Sequence, residues 1–332
     1  MKLSILDQSP VMEKSSAKTA LEASVALAQE GERLGYHRYW IAEHHDIAGL
    51  ACPAPEVMLA YIGARTERIR LGSGAVLLPH YKPYKVAETF NLLATLFPGR
   101  IDLGIGRAPG GSAEASIALS GNFLENVRQM PQLLETLIHF FQNDFPEDEM
   151  FSKIKASPQP PIHPQLWLLG TSEKSGLLAA EKGLAYAFGH FMSDNNGPKA
   201  IADYQQAFQS RGAVLKSPCA LVAASVICAE TTEEAEALAL RGGVRQILRE
   251  RGEAVHDYPT LEDARSFLMT TEERAQFAER KKRLIIGNPK EVKEQLYALQ
   301  HLYGTDEIMI VTLTPTYVER QRSYQFIAKE ML

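Results

Sequence analysis

The chain has 332 residues, 45% of them hydrophobic and 23% charged, and its 35 Lys and Arg against 40 Asp and Glu leave a net charge of -5. That length holds one large α/β domain or two ordinary ones, and the mild acidity offers no electrostatic footprint for nucleic acid or an anionic membrane. No stretch approaches the roughly 20 apolar residues of a membrane span, the apolar start of the chain is too short for a signal peptide, and three scattered cysteines (Cys52, Cys219 and Cys228) fit a reducing compartment better than a disulfide or zinc framework; a cytoplasmic location is expected.

Strand-like and helix-like segments alternate along the chain. "LSILDQ" is a first short strand, and the alanine-rich stretch from Thr19 to Leu34 carries apolar residues at helical spacing. "RYWIA" is a second strand, followed by a proline-opened helix over Pro53 to Arg65. "IRLGSGAVLL" is a third, Tyr84 to Leu96 a helix, and "IDLGIG" a fourth strand before one long helix from Phe123 to Phe141. The proline-rich, acidic stretch from Gln142 to Pro164 forbids long helix. "LWLLG" and "LAYAFG" are strands five and six, with helices over Glu173 to Lys182 and Pro198 to Gln209. "CALVAASVICA" is strand seven and Thr232 to Arg249 a helix. Residues 251–285 break the rhythm as an insertion with its own short helices. A capped helix in "GNPKEVKEQLYALQHLY", strand eight in "DEIMIVT" and a last helix from Tyr317 to Met331 complete the order.

Eight strands alternating with about eight helices predict a parallel sheet. The expected fold is α/β, a (β/α)8 TIM barrel with insertions after strands 4 and 7, residues 1–332 forming a single domain; a doubly wound open sheet is the alternative. In such barrels chemistry sits at the C-terminal ends of the strands. Glu43, His44 and His45 follow strand two and therefore stand on that rim. So do "LLPHYKP", "GIGRAPGG" and "GTSEKSG", after strands three, four and five.

Each rim segment has a chemical and a plain reading. Gly170, Thr171 and Ser172 open a helix, where free amides, hydroxyls and the helix dipole hold phosphate; the plain reading is an N-cap. Arg107 in "GIGRAPGG" supplies a cation for the same anion, since strands four and five are neighbours, or else bonds carbonyls in a turn. The segment is neither a Walker loop nor a dinucleotide fingerprint. Glycines in "LGSGAVLL" mark either close approach of a ligand at Gly74-Ala75 or packing against a neighbour. Adjacent His44 and His45 point opposite ways on extended backbone, so one faces the cavity and the other is structural or paired with Glu43. An imidazole there suits proton handling. His80 and His190 lie near other strand ends, but no metal-ligand spacing is present and no metal is expected.

Together "YWIAEHH", "GSGAVLLPH", "GRIDLGIGRAPGG" and "WLLGTSEKSGLLAAEKGLAYAFGHF" resemble the luciferase-like flavin monooxygenases, the group that includes bacterial luciferase. The resemblance runs from the first strand to the last helix and is strongest over residues 1–190. It implies a barrel that holds reduced FMN at its mouth, obtained from a separate NAD(P)H-dependent flavin reductase, and a homodimer formed through the early helices. It implies oxidation of a small organic substrate by dioxygen through a flavin hydroperoxide. Residue by residue, His44 matches the catalytic histidine and His45 its companion. Arg107 matches the arginine on the flavin phosphate, Thr171, Ser172 and Ser175 the hydroxyl cluster around it, and Gly74-Ala75 a peptide that members often hold cis against the flavin. Luciferase proper has a reactive cysteine where this chain has Gly106, so no thiol is expected there. A deazaflavin-dependent hydride-transfer enzyme on the same barrel and a non-catalytic flavin-binding protein are the competing readings.

Overall fold

A computed structural model describes residues 1–12, 15–193, 195–210, 215–253 and 258–332. Among these residues ten strands are formed: β1 (Lys2–Asp7), β2 (Arg38–Ile41), β3 (Arg70–Ser73), β4 (Val76–Leu77), β5 (Ile101–Gly106), β6 (Gln165–Gly170), β7 (Ala185–Gly189), β8 (Ala220–Cys228), β9 (Leu284–Gly287) and β10 (Glu307–Val311). Eight of them close into a parallel barrel, in the order β1, β2, β3, β5, β6, β7, β8, β10 and back to β1. The closing contacts set Ile308 opposite Val222, and Glu307 opposite Lys2. These eight are the strands predicted from the sequence, and closure removes the open-sheet alternative.

Side-chain alternation explains why the strands are mostly apolar on both faces. Leu166 and Leu168 of β6 face the helical layer, while Trp167 faces the barrel interior; Ile308 and Ile310 of β10 face outward and Met309 and Val311 inward. A strand covered on both faces has no polar side to show. Ala185, Ala187 and Ala223 are small enough to leave the interior to Trp40 and Trp167, whose rings meet edge-on at 5.3 Å. Below them a buried ion network spans the N-terminal ends of the strands. Arg38 donates to Asp102 at 2.6 Å and to Glu307 at 2.6 Å, and Arg70 donates to Asp102 from the adjacent strand at 2.5 Å.

Four local features differ from the sequence reading. The predicted third strand is interrupted at Gly74-Ala75, whose peptide bond is cis, and resumes as β4 beside the end of β5. The long helix expected over 123–141 is two, Phe123–Arg128 and Met130–Gln142. Pro131 causes the break: it cannot donate to the carbonyl four residues earlier, and its ring collides with that turn. An additional helix, Ala113–Ser120, precedes them, capped by the Ser112 hydroxyl. Within 251–285 two helices form, Leu261–Ser266 and Thr271–Lys282, and then the short strand β9 pairs in parallel with the end of β8, outside the closed ring. Residues 254–257 of that insertion lie outside the described residues. Of the run 142–164, Gln142 ends the preceding helix, and the remainder contains a single 3₁₀ turn, Met150–Lys153, and no α-helix.

Candidate functional site at the barrel mouth

A cavity of about 410 Å³ opens at the C-terminal ends of the strands. Its floor is Trp40, Leu6, Leu221 and Met309; its walls include His44, Gly74, Ala75, Arg107, Gly170, Thr171 and Ser175. Of the catalytic and cofactor-binding residues expected from the sequence, Ser172 and His45 are the two that are not part of its lining.

The loop that follows β2 is held from both sides. Its backbone amides donate to distant carbonyls, His44 to Cys52 at 2.9 Å and His45 to Gly110 at 2.8 Å. Glu43 is buried, and burial pushes its carboxyl above the ordinary range, against the pull of three donors. Those donors are the His45 ring at 2.7 Å, the Tyr81 hydroxyl at 2.9 Å and the Leu77 amide at 3.1 Å. His45 is thus tied to Glu43 beneath the rim, with its ring edge-on to His80. His44 takes the other direction, into the cavity, as alternation requires. Its buried Nδ1 has no hydrogen-bond partner in the protein. Burial, then the neighbouring His45, pushes its pKa down to about 4.

A pH-dependent stability follows from that depression. Between the ordinary pKa of 6.5 and about 4, the unfolded chain binds a proton at His44 that the folded one does not. The contribution of a neutral His44 is therefore fully present above pH 6.5 and lost as pH falls from 6.5 toward 4. Urea denaturation of His44→Asn across that window should show a shallower pH slope than the wild-type chain; an unchanged slope would show that His44 does not titrate in this way.

Further round the ring, β5 and β6 run side by side, with Ile105 opposite Leu168, so their rim segments are adjacent. Arg107 is exposed, and its guanidinium makes no hydrogen bond or ion pair among the described residues. Beside it the helix Glu173–Lys182 begins with a capping box: Ser172 Oγ accepts from the Ser175 amide, and Ser175 Oγ accepts from the Ser172 amide at 3.2 Å. Ser175 Oγ also donates to the Ser172 carbonyl at 2.7 Å and meets the Tyr186 hydroxyl at 3.0 Å. Ser172 is therefore occupied as a cap. Thr171 and Ser175 face the cavity, with the helix dipole behind them. Gly170 leaves room for the cap, since a Cβ there would stand 2.2 Å from Ser175 Oγ. Gly74 likewise makes room for protein: a Cβ would lie 2.6 Å from Leu6 Cδ1. The packing and cavity readings of that glycine hold together.

His80 is engaged with the Pro109 carbonyl at 2.9 Å and Ser120 at 3.2 Å, and His190 with the Tyr303 hydroxyl at 2.9 Å. Among the described residues no three His, Cys, Asp or Glu side chains gather as a metal site.

Two groups of cavity residues carried no signal in the sequence reading. Phe123, Leu124 and Val127 come from the short helix that Pro131 separates, and Phe191 and Met192 from the 3₁₀ turn after β7. The rim rule applied to "GHFM" after strand six would have found the second pair. The first three cannot be placed without knowing where the long helix breaks. Tyr81, which orients Glu43, lies in the rim segment "LLPHYKP" but has no spacing that marks it.

Comparison with known proteins finds relatives along the whole chain. An N-acetyl-S-alkylcysteine monooxygenase of Bacillus subtilis (strain 168) is 38% identical over 333 residues, covering 100% of this chain and 98% of the relative. The crystal structure of apo-MsnO8 superposes with a TM-score of 0.87 at 34% identity, over 99% of this chain and 98% of that one. The oxygenating constituent of 3,6-diketocamphane monooxygenase from Pseudomonas putida, a type II Baeyer-Villiger monooxygenase solved in complex with FMN, shares the fold with a TM-score of 0.68 at 21% identity, over 99% of this chain and 97% of that one. Among the described residues no helix is long and apolar enough to cross a membrane. The family model for luciferase-like monooxygenases matches residues 1–306, and the chain belongs to that family.

Proposed function

We propose that the 332 residues act as one barrel domain, an FMN-dependent monooxygenase that oxidises a small organic substrate with dioxygen, its reduced FMN supplied by a separate NAD(P)H-dependent flavin reductase. The observation that carries this reading is the shared cavity of an unpaired surface cation and a buried, unpartnered imidazole nitrogen. A group with an anionic tail and a flat, hydrogen-bonding head fits such a pair, and FMN is that kind of group.

Reduced FMN, when bound, supplies the activation of dioxygen; the protein contributes binding, orientation and exclusion of water. Arg107 pairs with phosphate oxygens, and the Thr171 hydroxyl and the first amides of the helix Glu173–Lys182 add donors. Gly74 and Ala75 offer a wall without bulk. Phe123, Leu124, Val127, Phe191 and Met192 dry the mouth, which strengthens every polar contact inside it. His44, neutral above about pH 4, has one nitrogen to donate and one to accept, and it holds or moves the proton that oxygen transfer requires. Glu43, His45 and Tyr81 position it. An N-acetyl-S-alkylcysteine is the first organic probe to try.

The Arg107 assignment is tested by anaerobic titration with reduced FMN and reduced riboflavin, which differ by the phosphate. Arg107→Ala should weaken FMN binding by about tenfold, the scale of one charge-assisted hydrogen bond, and leave riboflavin unchanged. Equal FMN affinity in the two proteins would remove Arg107 from the phosphate site. No flavin binding by the wild-type chain would end the proposal.

Exposed Val57 and Tyr61 on the helix Pro55–Gly63, and Leu92 and Leu96 on the helix Pro83–Leu96, support the homodimer through early helices. Cytoplasmic location completes the proposal.

A further inference from the structure

A second cavity, of about 240 Å³, lies at the same end of the barrel, against β8 and β10. Its inner wall is Ser225 and Val311. Each stands two residues beyond a lining residue of the first cavity, Ala223 on β8 and Met309 on β10. Side chains two apart on a strand share a face, so the second cavity continues the first along one interior wall. That wall lies across the ring from β3 and β5, and the rim segment after β5 carries Arg107.

The remaining lining divides into an apolar body and a cationic end. Tyr258 and Phe277 supply flat apolar surface. Arg280 and Lys281 also reach the cavity, but they are neutralised by Glu250 at 2.6 Å and Glu236 at 3.1 Å. Arg245 and Arg249 are one turn apart on the helix Thr232–Glu250. The Arg245 guanidinium lies 4.3 Å over the Tyr258 ring. Arg249 donates to the Ala48 carbonyl at 3.2 Å and makes no ion pair among the described residues. The two guanidiniums converge on one point. A Cβ placed on Gly49 would lie 2.5 Å from Arg249 Nη2 and 3.4 Å from Arg245 Nη2. Gly49 has φ +86°, a left-handed conformation that favours glycine, so the loop after His44 and His45 is shaped to let both cations approach. Burial, then the charge of Arg245, pulls the pKa of Arg249 down, the mark of a cation whose neighbour repels it. An anion beside Arg249 would relieve that repulsion.

We infer that this second cavity binds the organic substrate, and that the substrate is a carboxylate with an apolar body: its anionic end pairs with Arg249, and its body lies against Tyr258, Phe277 and Val311. The inference rests on the proposed monooxygenase reading, because the shared wall is what brings such a substrate to the cavity that holds His44. Arg249 is a specificity-determining residue on this view, not a part of the flavin site.

The test is calorimetric titration of the full chain with hexanoate and with hexan-1-ol, which share an alkyl body and differ in charge. Hexanoate should bind the wild-type chain about tenfold more tightly. Arg249→Gln should erase that difference, Arg249→Lys should keep most of it, and Arg107→Ala should not change it. Reduced FMN should bind Arg249→Gln as it binds wild type. Equal binding of the two probes, or wild-type hexanoate affinity in Arg249→Gln, would overturn the inference. So would loss of FMN affinity in Arg249→Gln, which would assign the cation to the cofactor. If the wild-type chain binds hexanoate through Arg249 but no flavin, the proposed function fails and the anion site stands.

Discussion

Replacing His44 with alanine is expected to lower substrate-dependent oxygen consumption by about 10²–10⁴-fold, the usual worth of a positioned proton-transfer group, while the affinity for reduced FMN stays within a few-fold. The reason is where the side chain sits. His44 projects into the cavity, and its Nδ1 is buried without a partner. An unsatisfied buried polar atom costs roughly 1–3 kcal/mol, so nothing in the fold of the isolated chain benefits from this nitrogen. Thermal denaturation should accordingly find His44→Ala as stable as wild type at neutral pH, or more so. The contrast with His45 sharpens the expectation. His45 is bound to Glu43 at 2.7 Å, and its loss frees a buried carboxylate that also anchors the Leu77 amide and Tyr81. His45→Ala should therefore cost stability, where His44→Ala costs turnover. Wild-type oxygen consumption in His44→Ala would remove the proton role from that residue.

Asp102→Ala should destabilise the fold by about 3–5 kcal/mol, the cost of stranding buried charge when one partner of an ion pair is removed. Asp102 is fully buried at the bottom of the barrel. Burial opposes its charge, yet Arg38 and then Arg70 hold its carboxyl below the ordinary range. It also accepts from Trp40 Nε1 at 3.0 Å, so it fixes the ring that floors the cavity. Without it Arg38 keeps only Glu307, at 2.6 and 3.1 Å, and its guanidinium lies over Trp167 at 4.8 Å with no second carboxylate. Urea unfolding followed by circular dichroism reads the loss directly. Asp102→Asn should recover part of it, because an amide still accepts from Trp40. An unchanged midpoint for Asp102→Ala would mean that the arginines find water or other acceptors, and that the network does not carry the barrel's closed end.

Much of the site was legible before any coordinates, for a local reason. Strand-helix alternation is written in short-range apolar periodicity, and the barrel rule converts strand ends into a rim. His44, Arg107, Gly170 and Thr171 could therefore be placed on one face from "EHH", "GIGRAPGG" and "GTSEKSG" alone. Adjacent histidines on extended backbone had to diverge, but period two cannot say which one turns inward. That choice was made by Glu43, held by Tyr81 and the Leu77 amide from a rim segment 34 or more residues away, which draws His45 down and leaves His44 in the cavity. Ser172 could be read as a phosphate ligand or as a cap; its reciprocal bonds with Ser175 engage it as the cap.

What only the tertiary structure decided depends on contacts between residues far apart in the chain. Closure of the barrel is the pairing of β8 and β10 with each other and of β10 with β1, and no strand count contains it. The apolar lining by Phe123, Leu124 and Val127 follows from Pro131 breaking a helix whose periodicity runs on without interruption. The second cavity, and the approach of Arg245 and Arg249 to Gly49, join residues far apart in the chain; the bond from Arg249 to Ala48 spans 201 positions. Local periodicity specifies elements and the face each presents; the meeting of two cations at one loop is a property of the closed ring, because only closure sets β2's rim segment beside the helix that follows β8.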